Sequence, residues 1–421
     1  MRVVAIPFAS EVHGREYYSN IMNYFKKYLE KYPDVVIHEE FVVSNEDISK
    51  VAERYRDYLP IAIVLTGGTS SLIHKFFNSG DFKRIFLLAH SEHNSLASAV
   101  SARSKIEDEG FSAGLYWCED PSSSLCEENI DYMMRIVNGV SALYRSRILV
   151  ITDREKGDVE NTFESRFDSE VHIMPISKLL DYMNSISTDE VREVAREIES
   201  KYVFTVSTKD LDKIARLYLS LERLSREKYS VVSIDCFPYI MKTKTTPCIP
   251  LSLLNSRGVV ATCEADLTVI PSMILARRLS GRSGWIGNIV SVKNRQIIFS
   301  HCTISLDIVR GKASALPHFE TLNPYAVTGE LDGDKVTIVS IDREFSTMVI
   351  DRGVVIKSGL LTDKTCRTQV IIELESSATH IPRTAPTNHH VIILGDHVNS
   401  LREIAAMFNM SVFTYKELQQ I

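Results

Sequence analysis

No apolar run in the 421-residue sequence is long enough to cross a bilayer as a helix, so a helical membrane protein is excluded. The opening residues, MRVVAIPFAS, are broken by Pro7 too early for a signal peptide, which leads to the expectation of a cytoplasmic protein. Positive charge is not in excess: 48 Lys and Arg against 54 Asp and Glu leave a net charge of −6 and no basic stripe for nucleic acid. The seven cysteines are odd in number, scattered and without a CxxC pair, so neither a zinc knuckle nor a disulfide framework is expected. Most read as small buried apolar residues. Cys236, Cys263 and Cys302 stand out because each ends an expected strand beside a polar group. Thr66-Gly67-Gly68-Thr69-Ser70 lacks the Lys of a P-loop and the spacing of a GxGxxG fingerprint. It leaves open a helix cap or a small backbone cradle for an anion or hydroxyl.

What is present is an ordinary globular composition, 44% hydrophobic and 24% charged, over a length that calls for two or three domains. Short apolar strands at residues 2–7, 35–43, 61–65 and 85–89 alternate with helical periods at 16–31, 45–58 and 95–109. This alternation indicates βαβ units and a parallel sheet, with ligands expected at the carboxyl ends of its strands. A second α/β unit restarts at the strand 147–152, runs through the helix-rich stretch 176–226, and continues with strands at 229–235 and 258–262. After Trp285 the pattern becomes short alternating segments (295–300, 336–341, 345–350, 353–358, 368–375) separated by Asp-Gly, Arg-Gly and Asp-Lys turns. That pattern is antiparallel β structure. The expected organisation is therefore two Rossmann-like parallel-sheet domains, 1–143 and 144–284, and a β-rich C-terminal domain, 285–421, closing with a strand and an amphipathic helix.

The chemistry concentrates between residues 261 and 301. Glu264 directly follows a buried apolar strand, where an unpaired carboxylate is costly, and it is the stronger candidate of the pair Glu264 and Asp266. Asp266 reads as a helix cap or a group supporting its neighbours. In Asn388-His389-His390 the adjacent histidines of an extended segment point opposite ways, so at most one faces a given pocket. His301 and His318 are weaker candidates of the same kind.

The order and spacing of several short blocks resemble the L-fucose isomerase and L-arabinose isomerase superfamily, in particular its shorter L-fucose isomerase-like members. The blocks are Ile234-Asp235-Cys236-Phe237-Pro238, Thr246-Pro247-Cys248, Leu251-Ser252-Leu253-Leu254-Asn255, Cys263-Glu264-Ala265-Asp266, Gly287-Asn288 and His301-Cys302-Thr303. They continue with His318-Phe319-Glu320, Cys366-Arg367-Thr368-Gln369, Asn388-His389-His390 and Gly395-Asp396. Looser matches, Leu65-Thr66-Gly67-Gly68-Thr69 and His93-Asn94-Ser95-Leu96, lie in the first third.

The resemblance implies a three-domain subunit in a symmetric homo-oligomer, a trimer or hexamer, interconverting an aldose and a ketose with Mn²⁺ or another divalent cation. It implies a site between the second and third domains, closed by a neighbouring subunit's N-terminal domain. It makes Glu264 and Asn288 the catalytic positions and Glu264, Asn288 and His389 the metal ligands. Asp235, Cys236, His301, His390 and Asn94 are then expected to meet the sugar, a pentose or deoxyhexose such as L-fucose or L-arabinose. No nucleic acid or membrane partner is expected.

Isomerisation through an enediol needs a base near the C1 and C2 protons and an electrophile on O1 and O2, and carboxylate and imidazole ligands suit a hard divalent ion for the second task. This sequence departs from the family at Asn288, where the pattern has Asp. An amide oxygen coordinates a cation but carries no charge and accepts no proton at neutral pH. Two readings follow: an isomerase relying on Glu264, or a carbohydrate-binding or catalytically diverged relative without a tight metal site.

Overall fold

A computed structural model describes residues 1–419. It divides into two compact units, residues 1–142 with 403–409, and residues 143–402 with 410–421, of which 420 and 421 lie outside the described part.

The first unit is built on a parallel five-stranded sheet of β1 (Arg2–Phe8), β2 (Val35–Ile37), β3 (Tyr58–Val64), β4 (Arg84–His90) and β5 (Ser112–Cys118), in the order β2-β1-β3-β4-β5. The central strands β1, β3 and β4 are buried almost end to end, as a sheet covered on both faces requires. Their side chains form one core in which Val4, Ile6, Phe8, Val64, Leu87 and Phe76 pack together. The stretch read as a strand over 35–43 pairs only at Val35–Ile37, with one further bridge from Val42 to Phe8.

One cysteine expectation is overturned here. Cys118, ending β5, is disulfide-bonded to Cys126 in the first turn of the helix Ser124–Leu143. Asp120 reverses the chain between them, accepting from the Ser122 N–H at 2.8 Å and giving its carbonyl to the Ser123 N–H at 3.1 Å. A local turn made by a side chain leaves no cysteine-spacing signature, which is why the sequence did not reveal the pair.

The second unit contains a parallel sheet of β6 (Arg147–Ile151), β7 (Glu170–Met174), β9 (Val231–Ile234) and β10 (Val260–Cys263), in the order β10-β9-β6-β7. Beyond it the chain forms an antiparallel barrel from β11 (Trp285–Lys293), β12 (Gln296–His301), β15 (Lys335–Ile341), β16 (Thr347–Gly359), β17 (Thr368–Leu374) and β18 (His389–Leu394). Neighbours run β15-β18-β11-β12-β17-β16, and β16 pairs back onto β15, so closure removes the free edges. Strand β19 (Ser411–Phe413) adds in parallel to β16, while β8 (Val203–Phe204), β13 (Val309–Leu316) and β14 (Ala326–Leu331) form a small separate sheet.

The architecture is thus two Rossmann-like sheets plus a β-rich part. Two local differences from the expectation stand out. Arg352-Gly353, read as a turn, lies inside the thirteen-residue strand β16, where Gly353 faces Ile372 so closely that a Cβ would collide with it at 2.3 Å. Asn288, outside every expected strand, lies within β11, paired to Ser300 on one side and His389 on the other. Among the described residues no helix is long and apolar enough to cross a membrane.

Candidate metal centre

Strand β10 delivers Glu264 at its carboxyl end through an uncommon turn. Glu264 and the next residue, Ala265, both take left-handed backbone conformations, with φ of +62° and +49°. For residues with a Cβ this costs about 1–2 kcal/mol each, so the surroundings must hold the turn. Arg154, beyond the end of β6, donates from Nη2 to the Ala265 carbonyl at 3.2 Å and pairs through Nη1 with the buried Glu160 at 2.5 Å. Asp266 then caps the following 3₁₀ turn, accepting through Oδ1 from the Thr268 N–H at 2.9 Å and its hydroxyl at 2.8 Å. The helix Ile270–Ser280, with Pro271 in its first turn, continues from there.

The barrel supplies two imidazoles. His301 is the last residue of β12 and His389 the first of β18, and β11 lies between these strands and pairs with both. The His301 and His389 rings stand edge to face, 5.8 Å between centroids. Glu264 reaches both: Oε1 lies 3.5 Å from His301 Nε2 and Oε2 lies 3.3 Å from His389 Nε2. One ligand atom from each of the three residues falls within 4.8 Å of the others.

His389 is oriented from behind. Its Nδ1 bonds Asp266 Oδ2 at 2.7 Å, which directs Nε2 towards Glu264. Among the described residues this Nε2 is buried and makes no hydrogen bond, since the Glu264 oxygen near it is poorly aligned. A carboxylate–imidazole pair whose second nitrogen is left open is the usual support for a metal-ligating histidine. Two imidazoles and one carboxylate fit Mn²⁺, Fe²⁺, Co²⁺ or Zn²⁺ better than Mg²⁺, which favours oxygen ligands. The donor set therefore fits a divalent transition ion.

Charge is unusually concentrated here. Burial works against the Glu264 carboxylate, but the electrostatic attraction of the His301 and His389 imidazoles at 3.5 and 3.3 Å outweighs it and holds its pKa well below the usual range. Asp266 is likewise lowered, burial being overcome chiefly by His389. Burial penalises the His389 imidazolium, yet Asp266 and Glu264 push its pKa up to about 9.

The remaining expected residues fall in several places. Asn288 sits beside His389 on the neighbouring strand, but its amide oxygen accepts from Asn388 Nδ2 at 2.6 Å. His390 points to the opposite face of β18, fully buried, hydrogen-bonded to Tyr415 and the Asn388 carbonyl, with its pKa lowered to about 4 by that burial. Asp235 accepts from the Thr152 hydroxyl at 2.9 Å at the end of β9. Cys236, one residue on, is buried, and its thiol stays neutral because burial and the nearby Glu264 charge raise its pKa. Asn94 belongs to the first unit, left-handed at φ +59° at the start of the helix Ser95–Asp108.

Glu264, Asp266 and His389 open onto a cavity of about 440 Å³, a volume typical of small-molecule sites. Arg154, Arg343 and Asn388 also line it. The two arginines were not singled out from sequence. Arg154 had a usable signal, three residues past a buried strand, whereas Arg343 in the β15–β16 turn had none. Glu264 and His301 border a second, much smaller cavity walled by thiols and His318.

No model of a known protein family matches the chain. It is similar to proteins named sulfoquinovose isomerase. Those of Priestia megaterium and Priestia aryabhattai are 22% identical over 316 residues, covering 70% of each chain. That of Clostridium sp. (strain MSTE9) is 20% identical over 349 residues, covering 77% of this chain and 76% of its own. The likeness is to sugar isomerases, at low identity.

Proposed function

We propose that the chain is a metal-assisted sugar isomerase that interconverts an aldose and its 2-ketose, acting on a 6-deoxyhexose with an anionic group at C6, such as sulfoquinovose. The observation that carries this reading is the buried Nε2 of His389, without an aligned hydrogen bond, converging with Glu264 and His301, of which Glu264 and His389 border a sugar-sized cavity. The name of the relatives supports it from outside the structure.

Glu264, His301 and His389 would hold the cation, and Asp266 keeps His389 in the tautomer that presents Nε2. A divalent ion bound there would polarise O1 and O2 of the sugar and stabilise the negative charge of the enediol. Glu264, ionised at neutral pH, would accept the C2 proton of the aldose and, after exchange with water, deliver a proton to C1, while the O2 hydroxyl proton passes to O1. Asn288 takes no proton in this scheme. It fixes Asn388 at the cavity edge through the amide–amide bond. Arg343, exposed in the β15–β16 turn, and the outer face of Arg154 place positive charge where a sulfonate tail would lie.

The test is solvent-deuterium incorporation into sulfoquinovose, L-fucose and L-arabinose, followed by NMR with Mn²⁺ present. We expect label at C2 of sulfoquinovose and at C1 of its ketose, and its loss in Glu264→Gln. Absence of exchange with every aldose, using protein that has bound metal, refutes the isomerase reading. Exchange with L-fucose but not sulfoquinovose refutes the anionic-substrate part alone.

A further inference from the structure

All five cysteines outside the disulfide, Cys236, Cys248, Cys263, Cys302 and Cys366, line the second cavity. Its free volume of about 20 Å³ has room for roughly one water and none for an organic ligand. The proposed isomerisation uses none of these thiols. Two chemistries suit such a set: a soft-metal cage, or thiol–disulfide exchange.

A cage requires at least three ligand atoms within one ion's reach. Among the described residues the only His, Cys, Asp and Glu side chains that converge so are Glu264, His301 and His389. The thiols therefore do not form a cage, and chemistry needing only two sulfurs remains. Cys302 and Cys366 make that pair, since both wall a space of only about 20 Å³. They also flank one end of the β12–β17 ladder, whose last pair is His301 and Thr368. Cys302 follows His301 directly, and Cys366 stands two residues before Thr368. Cys302 is buried and Cys366 partly exposed, so a solvent-borne oxidant meets Cys366 first.

We propose that Cys302 and Cys366 are a reversible dithiol–disulfide couple, an oxidation site whose closure pulls on the strand end carrying His301 and weakens the metal centre. Hydrogen peroxide oxidises the Cys366 thiol to a sulfenic acid and is itself reduced to water. The Cys302 sulfur then attacks the Cys366 sulfur, the S–O bond breaks, and hydroxide leaves with the Cys302 proton as a second water. A dithiol reductant reverses the bond. The couple goes beyond the isomerase reading, and only its effect on metal depends on that reading.

The full chain is treated with hydrogen peroxide, its free thiols are alkylated, and the crosslinked peptides are mapped by mass spectrometry, while calorimetry measures Mn²⁺ binding. We expect a peptide pair joining Cys302 to Cys366 that dithiothreitol removes and that is absent from Cys366→Ser. Oxidation should weaken Mn²⁺ binding about tenfold in the wild type and leave Cys366→Ser unchanged. Should the serine variant fail to fold, Cys366→Ala replaces it. Over-oxidation of Cys366 without the crosslink, or a crosslink to another cysteine, overturns the couple. A Cys302–Cys366 bond that leaves Mn²⁺ affinity unchanged overturns the link to the metal centre. Failure of the reduced protein to bind Mn²⁺ overturns that link too, while the peptide map still decides the couple.

Discussion

Each parallel sheet has a histidine near the carboxyl end of a strand, His90 ending β4 and His389 reaching from the barrel to Glu264 after β10, and the two differ in their hydrogen bonding. In the first unit His90, ending β4, is completely engaged: Nε2 bonds the Leu65 carbonyl at 2.9 Å and Nδ1 accepts from the Glu92 N–H at 3.3 Å. Around it Thr69 pairs with Ser98, and Ser95 closes on the Val64 carbonyl. Burial lowers the His90 pKa, and the neutral ring completes the loop that it belongs to. In the second unit His389 has one nitrogen fixed by Asp266 and the other open, with two further ligand atoms beside it. Strand ends at this edge of a sheet gather polar side chains as a matter of topology. An unfinished hydrogen-bond set is what separates a candidate site from a well-made loop.

That contrast predicts unequal responses. The largest concerns Asp266→Asn, which removes the charge that orients His389. We expect Mn²⁺ affinity to fall about 10–100-fold with little change in fold, measured by calorimetry and circular dichroism. An unchanged affinity means that His389 needs no support from Asp266. The matching change in the first unit, His90→Gln, leaves buried partners unsatisfied and should cost about 1–3 kcal/mol of stability by denaturant unfolding, with Mn²⁺ affinity unaltered. A loss of metal binding in that variant breaks the comparison.

Two smaller effects sharpen it. The His389 pKa, pushed from 6.5 to about 9, contributes stability that is complete below about pH 6.5 and lost as pH rises through about 9. Glu264 and Asp266, both lowered, contribute stability that is present above their ordinary values of 4.5 and 3.8 and lost as pH falls through the lowered ones. The melting temperature of the metal-free protein should therefore peak at mildly acidic pH and decline towards pH 9. Metal binding must displace the His389 proton, so its affinity should rise about tenfold per pH unit up to about pH 9. A flat affinity profile from pH 6 to 9 contradicts His389 as a ligand. The smallest change is expected from Asn288→Asp, which keeps an acceptor for Asn388 and adds charge beside His389, raising metal affinity by less than about tenfold. Metal binding seen only in that variant instead marks the native chain as a diverged relative.

Much of this was legible in the sequence because it depends on local periodicity. Alternating strands and helices disclose the parallel sheets, and the two-residue period of a strand separates His389 from His390. Glu264 was marked by its position after a buried strand, and Asp266 by its capping distance from the next helix. The grouping of His301 with Glu264 and His389 was not legible, since it depends on the register of β12, β11 and β18 across a closed barrel. The same holds for the five thiols, which are spread between residues 236 and 366 and meet at one small cavity. The left-handed turn at Glu264 and Ala265 carries no glycine to announce it. Its support comes from Arg154, far away in the chain.

The central claim is that Glu264, His301 and His389 hold one divalent ion. Anomalous scattering from crystals grown with Mn²⁺ tests it directly. The account predicts a single strong peak within about 2.0–2.3 Å of Glu264 Oε, His301 Nε2 and His389 Nε2. No peak at the triad, or one bound only by other residues, contradicts it.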